Sequence, residues 1–204
     1  MPKFKGVIVK DGTELYNKYG CFLSQCISHI QRYLKGIYDF IKHEGPKKLS
    51  QFFTKYNNLR NEYIESNKEK FDDEELANII NEYDNIINEW EFELRNDTNN
   101  YLFDDEVKLF TRLKYDNKKM DCKIRGDRDE ILYFLKDFKV PSTNNAAESS
   151  QRGVKIKQKV GKFRSINGAD NYLVIKSCIL TCKKQNIDVL KSIINGFNKN
   201  SIFL

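Results

Sequence analysis

Long apolar runs are missing from this chain: none approaches the ~20 residues that a membrane-spanning helix needs. The first residues, Met1-Pro2-Lys3-Phe4-Lys5-Gly6, lack the hydrophobic stretch of a signal peptide, so the expected location is the cytoplasm. Cysteine is sparse and unpatterned. The five residues Cys21, Cys26, Cys122, Cys178 and Cys182 form an odd, scattered set, which excludes a disulfide framework and fits reduced thiols. Cys26 and His29 have the spacing of half a zinc site, but no second Cys or His pair completes it, so a structural zinc is not expected. Cys178 and Cys182, one helical turn apart, read as core thiols rather than ligands. Internal repeats and low-complexity tracts are also absent.

What remains is an ordinary globular composition. The 204 residues are 40% apolar and 31% charged, which suits one soluble domain or one domain carrying an insertion. A chain of this length buries roughly 70% of its unfolded surface, so it needs neither disulfides nor a metal to hold a core.

The net charge of +6 conceals a segregation. Residues 1–60 carry 11 Lys and Arg against 4 Asp and Glu, residues 61–110 carry 4 against 16, and residues 111–204 carry 20 against 9. Two basic ends flank an acidic middle. A polyanion would be drawn to the ends and repelled by the middle, although Lys-rich faces that are merely solvated give the same pattern.

Along the chain, Val7-Ile8-Val9-Lys10 stopped by Asp11-Gly12 reads as a buried strand ending in a turn. Asp11 then sits at the strand's carboxyl end, where ligands and catalytic groups gather in open α/β sheets; as an Asp-Gly dipeptide it is equally a plain turn starter. Tyr19–Cys26 is a candidate second strand. Ile27, Ile30, Leu34, Ile37 and Ile41 then mark one face of an amphipathic helix bearing His29 and Arg32. From about Gly45 to Glu130 the sequence turns acidic and helical. One helix is expected over Pro46–Asn67, and a longer one on the spacing of Leu76, Ile79, Ile80, Tyr83, Ile86, Ile87, Trp90 and Leu94, with Phe71–Glu74 as its capping region. Asn145 and Glu148 have capping-box spacing at the start of another helix. Further helices are expected over Asp170–Lys184 and Asp188–Asn195, the last stopped by Gly196.

Two blocks then carry a resemblance. Thr143-Asn144-Asn145-Ala146-Ala147-Glu148, followed by Arg152, Lys155, Lys157, Lys159, Phe163-Arg164-Ser165 and Gly168-Ala169, and then by Ile175-Lys176-Ser177, Thr181 and Lys183-Lys184-Gln185, forms one block. Asp11, Tyr16, Gly20, Cys26, His29, Arg32, Leu34 and Lys35 form the other. Together and in this order they resemble the insertion sequence 66 family of DDE transposases. The likeness is strong over residues 6–42 and 131–196 and weak in the acidic middle. Ser149 stands where the family usually has Arg, and the turn Val160–Phe163 is one residue shorter than usual.

The resemblance implies an α/β fold, a partial ribonuclease-H-like core with an α-helical insertion. Residues 1–43 would form the part of the core bearing the second acidic residue, 44–130 the insertion, and 131–204 the continuation bearing the third. Asp11 would be the second catalytic carboxylate and Glu148 the third. The family's first aspartate belongs to an earlier strand, and Val7–Asp11 already matches the strand of the second. The expectation is therefore a C-terminal fragment that lacks the N-terminal strands, exposes a sheet edge and needs a homo-oligomeric or complementing N-terminal partner. The expected location becomes the bacterial cytoplasm, at the nucleoid when bound to DNA.

By the same resemblance Asp11 and Glu148 would hold Mg²⁺ or Mn²⁺, and the ligand would be DNA, as transposon ends and target. Phosphodiester hydrolysis and strand transfer are in-line displacements that two divalent ions can clamp, and hard cations take oxygen ligands. Two carboxylates ~4 Å apart repel by roughly 4 kcal/mol at an effective dielectric near 20, so acids and cation require one another. His29, Arg32, Asn144 and Asn145 would support the site. Arg152, Lys155, Lys157, Lys159, Lys162 and Arg164, with no acid among them, would bind DNA phosphates without sequence preference. Glu148 has a plainer role open to it, helix capping and an i,i+4 pair with Arg152. With one acid missing, the chain alone is expected to show little transposase activity. The competing reading is a non-catalytic DNA-binding or interaction protein derived from a transposase.

Overall fold

The computed structural model describes residues 5–12, 16, 22–96, 104–114, 128–161 and 163–198. The chain is mostly helical, with one small parallel sheet, and divides into two compact units, residues 1–144 and 145–204.

In the first unit, β1 (Val7–Lys10) pairs in parallel with β2 (Phe22–Gln25), Val7 opposite Phe22 and Lys10 opposite Gln25. The pairing continues one step further, where the Cys26 N–H donates to Lys10 O at 2.7 Å. Of the expected second strand, Tyr19–Cys21 lies outside the described residues, and Cys26 has already left the strand. Gly12 turns the chain away from β1 at φ +90°, a left-handed conformation that glycine adopts without a side-chain clash.

Helix α1 (Ile27–Ile41) buries Ile27, Ile30, Leu34 and Ile37, the face that the three-and-four spacing marks; Ile41, in the last turn, is half-buried. It packs on α2 (Glu44–Glu65), which packs on α3 (Asp73–Asn96). The start of α3 is a reciprocal capping box: Asp72 Oδ1 accepts the Glu75 N–H at 2.7 Å, and Glu75 Oε2 accepts the Asp72 N–H at 3.2 Å. Helix α4 (Asp104–Lys114) and the short turns α5 (Arg128–Ile131) and α6 (Tyr133–Lys136) complete the unit.

The core is aromatic. Phe52, Phe53 and Tyr83 meet between α2 and α3, while Phe71 packs edge-on to Phe138 at 4.9 Å. Gly45 approaches Trp90 so closely that a Cβ there would lie 2.2 Å from the indole. Arg60 is buried and donates to three carbonyls, Phe134 O at 3.2 Å, Phe138 O at 2.5 Å and Val140 O at 2.9 Å. Those bonds fasten the irregular segment after α6 to α2 and satisfy acceptors that burial would otherwise orphan.

The second unit holds α7 (Asn145–Val160), α8 (Ile166–Lys184) and α9 (Val189–Phe197). Ser165 caps α8 by accepting the Gly168 N–H at 3.1 Å, and Asp188 caps α9 by accepting the Lys191 N–H at 2.9 Å. Helix α8 starts four residues before the expected Asp170, and α9 continues through Gly196, which does not end it. Among the described residues no helix is long and apolar enough to cross a membrane.

Candidate nucleic-acid and metal site

The carboxyl ends of β1 and β2 collect polar groups. Lys10 and Gln25, the last residues of the two strands, are both buried, which is costly for a charge or an amide without partners. Glu130 of α5 supplies them. Its Oε2 lies 3.1 Å from Lys10 Nζ and accepts from Gln25 Nε2 at 2.8 Å. Asp11 follows Lys10 directly and is exposed at this edge. Arg112 of α4 reaches the adjacent turn, where a Cβ on Gly12 would meet its Nη2 at 3.0 Å. Reading the sequence missed Lys10, Arg112 and Glu130: lone charged residues in separate segments carry no spacing signal that would unite them.

The chain returns to this edge at Ser142–Asn144, Asn144 standing 118 positions after Cys26. Ser142 O accepts the Ile27 N–H at 2.9 Å, and the Asn144 N–H points at Cys26 Sγ, 3.4 Å away. Asn144 is half-buried, and its side-chain Oδ1 is buried without a hydrogen-bond partner among the described residues. Cys26 is thus a buried acceptor. His29 and Arg32 project from the first two turns of α1, His29 half-buried and Arg32 exposed.

Helix α7 begins at Asn145, which is exposed, and carries Glu148 half-buried in its first turn, where a carboxylate complements the helix dipole; Lys157 and Lys159 complement it in the last turn. None of its residues is buried. At about 100° per residue, Glu148, Arg152, Lys155 and Lys159 fall within an arc of about 60°, and Lys157 lies on the opposite side. Arg152, Lys155, Lys157, Lys159 and Arg164 are all exposed, while Lys162 lies outside the described residues. Lys176 of α8 adds a further cation, its Nζ 2.9 Å from where a Cβ on Gly153 would stand.

Asp11 belongs to the first unit and Glu148 to the second. Their oxygen donors suit a hard divalent cation such as Mg²⁺ in kind. In number they fall short, because no group of three or more His, Cys, Asp or Glu side chains among the described residues is placed to hold a metal ion. Glu130, the other carboxylate at the strand ends, is engaged with Lys10 and Gln25.

Among curated proteins and solved structures, nothing matches this chain. A family model described as "Transposase IS66 family" matches residues 1–171, taking in β1, β2, the acidic helices and α7, and ending within α8. That match spans both resembling blocks up to Asn171, covers far more than half of the 204 residues, and implies DNA as the ligand: the chain belongs to the IS66 family of transposases.

Proposed function

We propose that this chain supplies the second and third acidic residues, Asp11 and Glu148, of a DDE transposase active site on a ribonuclease-H-like core, together with a basic helix that holds DNA beside them. The observation that carries this reading is the tie at Ser142 and Asn144. It holds residues 142–144, which directly precede α7 in sequence, at the carboxyl end of β2, the sheet edge that also bears Asp11. Ligands in α/β proteins collect at that edge because the departing loops leave backbone and side chains free to converge.

In this reading Asp11 and Glu148 would hold Mg²⁺ or Mn²⁺, which when bound activates the attacking oxygen and offsets charge on the leaving one. The protein's own groups position the DNA. Arg152, Lys155 and Lys159 share the Glu148 face of α7, so a phosphodiester lying along that stripe is brought to the carboxylate; Lys162 and Arg164 extend the cationic run. Lys10 and Glu130 hold the end of β1, so that Asp11 leaves it in a fixed direction. Two carboxylates do not complete the acidic cluster, and the chain on its own is expected to cleave DNA poorly.

The test uses the whole chain with a duplex carrying transposon-end sequence. Expected are salt-sensitive DNA binding, Mn²⁺ binding that both Asp11→Asn and Glu148→Gln weaken, and little metal-dependent cleavage. Robust cleavage abolished by Glu148→Ala would overturn the need for a further acid. DNA binding that is indifferent to Mg²⁺ and to Asp11→Asn would favour a non-catalytic DNA-binding protein instead.

A further inference from the structure

A groove of about 490 Å³ runs between α1 and the start of α2, wholly within the first unit. Its floor is apolar, with buried Leu34 and Pro46 among the residues that line it. Its charged lining consists of Arg32, Lys35 and Lys47, and no carboxylate takes part. Lys47 is already committed in part, since its Nζ pairs with Glu44 at 3.0 Å. Arg32 and Lys35 are different. Both are exposed, and neither makes an ion pair among the described residues. They stand three apart on α1, so they are neighbours on its surface, where like charges repel. Two adjacent cations with no carboxylate in the groove lining and no ion pair among the described residues, set over an apolar floor, are an arrangement that an anion relieves.

We propose that this α1–α2 groove is a second seat for DNA backbone, separate from the α7 stripe, with Arg32 and Lys35 contacting successive phosphates and the apolar floor facing the sugars. The inference rests on the proposed DNA-binding function and adds to it a site in the other unit. Phosphate is favoured over an apolar ligand by the charge: the first sixty residues carry a large cationic excess, and Arg32, Lys35 and Lys47 belong to it. Exposed Gln51 lines the same groove and offers an amide donor that would suit a phosphate oxygen.

The experiment measures fluorescence anisotropy of a labelled duplex with the full chain over a series of NaCl concentrations. Each phosphate contact to duplex DNA contributes about 0.9 to the slope of log K against log salt. Arg32→Ala with Lys35→Ala is expected to reduce that slope by about 2 and to weaken binding at least tenfold at low salt. The charge-conserving pair Arg32→Lys and Lys35→Arg should keep most of the slope. Both residues are exposed, and circular dichroism and the urea midpoint check that the fold is retained. If the alanine pair binds as the parent does while Lys155→Ala with Lys159→Ala binds weakly, the groove is not a DNA seat and the α7 reading survives. If the parent chain binds no duplex even at low salt, the groove proposal falls together with the reading it rests on. Equal loss in the alanine and the charge-conserving pairs would also overturn it, since charge would then not be what the groove supplies.

Discussion

The backbone N–H of Asn144 is directed at the sulfur of Cys26, 3.4 Å away across 118 positions of sequence. Together with the Ile27–Ser142 bond, this contact holds residues 142–144 at the carboxyl end of β2. Cys26→Ala removes both a buried side chain and the acceptor, so a loss of about 1–2 kcal/mol is expected. Urea denaturation measures it. If the contact also orients the Asp11 edge, Mn²⁺ affinity should fall in the same variant under conditions where it remains folded.

Gly45 faces Trp90 with no room for a methyl group. Gly45→Ala is expected to cost about 1–3 kcal/mol by overpacking. Trp90 is the one tryptophan of the chain and donates its Nε1–H to buried Glu106 at 2.9 Å, so its fluorescence reports the change directly. An unchanged emission spectrum and urea midpoint would show that α2 shifts without cost.

Arg60 donates to three main-chain oxygens, and burial lowers its pKa from the ordinary guanidinium value. Arg60→Met keeps the bulk and leaves those acceptors unpaired, for an expected loss of about 2–4 kcal/mol. Arg60→Lys should recover only part, since one ammonium cannot match the planar fork. Chemical denaturation of the two variants ranks them, and equal stability would contradict the fastening role.

Glu82 gives a pH dependence. Burial pushes its carboxyl up, but hydrogen bonds from Lys55 and from Tyr56 Oη at 2.6 Å outweigh that and hold it below the ordinary value of 4.5. A carboxyl depressed by folding adds stability that is fully present above its unfolded value and fades as pH falls through the folded one. Tyr56→Phe weakens the depression, so the difference in unfolding free energy between pH 7 and pH 3 should shrink. Denaturant titrations at the two pH values measure it, and an undiminished difference would remove Tyr56 from the account.

The α7 stripe predicts an asymmetry. Lys155→Ala and Lys159→Ala should each weaken duplex binding and reduce the salt slope by about 0.9, whereas Lys157→Ala, on the far side of the helix, should do less. Equal effects at all three positions would mean that the DNA does not follow the Glu148 face.

Helix periodicity was plain in the sequence. The apolar faces of α1 and α3 follow directly from spacing, because burial repeats every three or four residues there. The first strand was legible too, as three β-branched residues before an Asp-Gly turn. What spacing cannot express is pairing between distant polar residues. Lys10 looks like a solvated strand end and Glu130 like one more surface acid, yet Lys10 is buried and Glu130 is its ion-pair partner. Arg60 likewise resembles an exposed helical arginine until the segment after α6 folds under it. Gly196 read as a stop signal, but α9 continues one residue past it, since a glycine lowers helix propensity without forbidding the turn.

The Arg60 clasp bears on how this gene could change over time. Residues 44–130 differ from both flanks in composition. Yet the guanidinium that braces residues 134–140 is carried on α2, inside that stretch. Excising it cleanly would delete the brace that steers the downstream chain toward Ser142, so shortened descendants would have to evolve a substitute first.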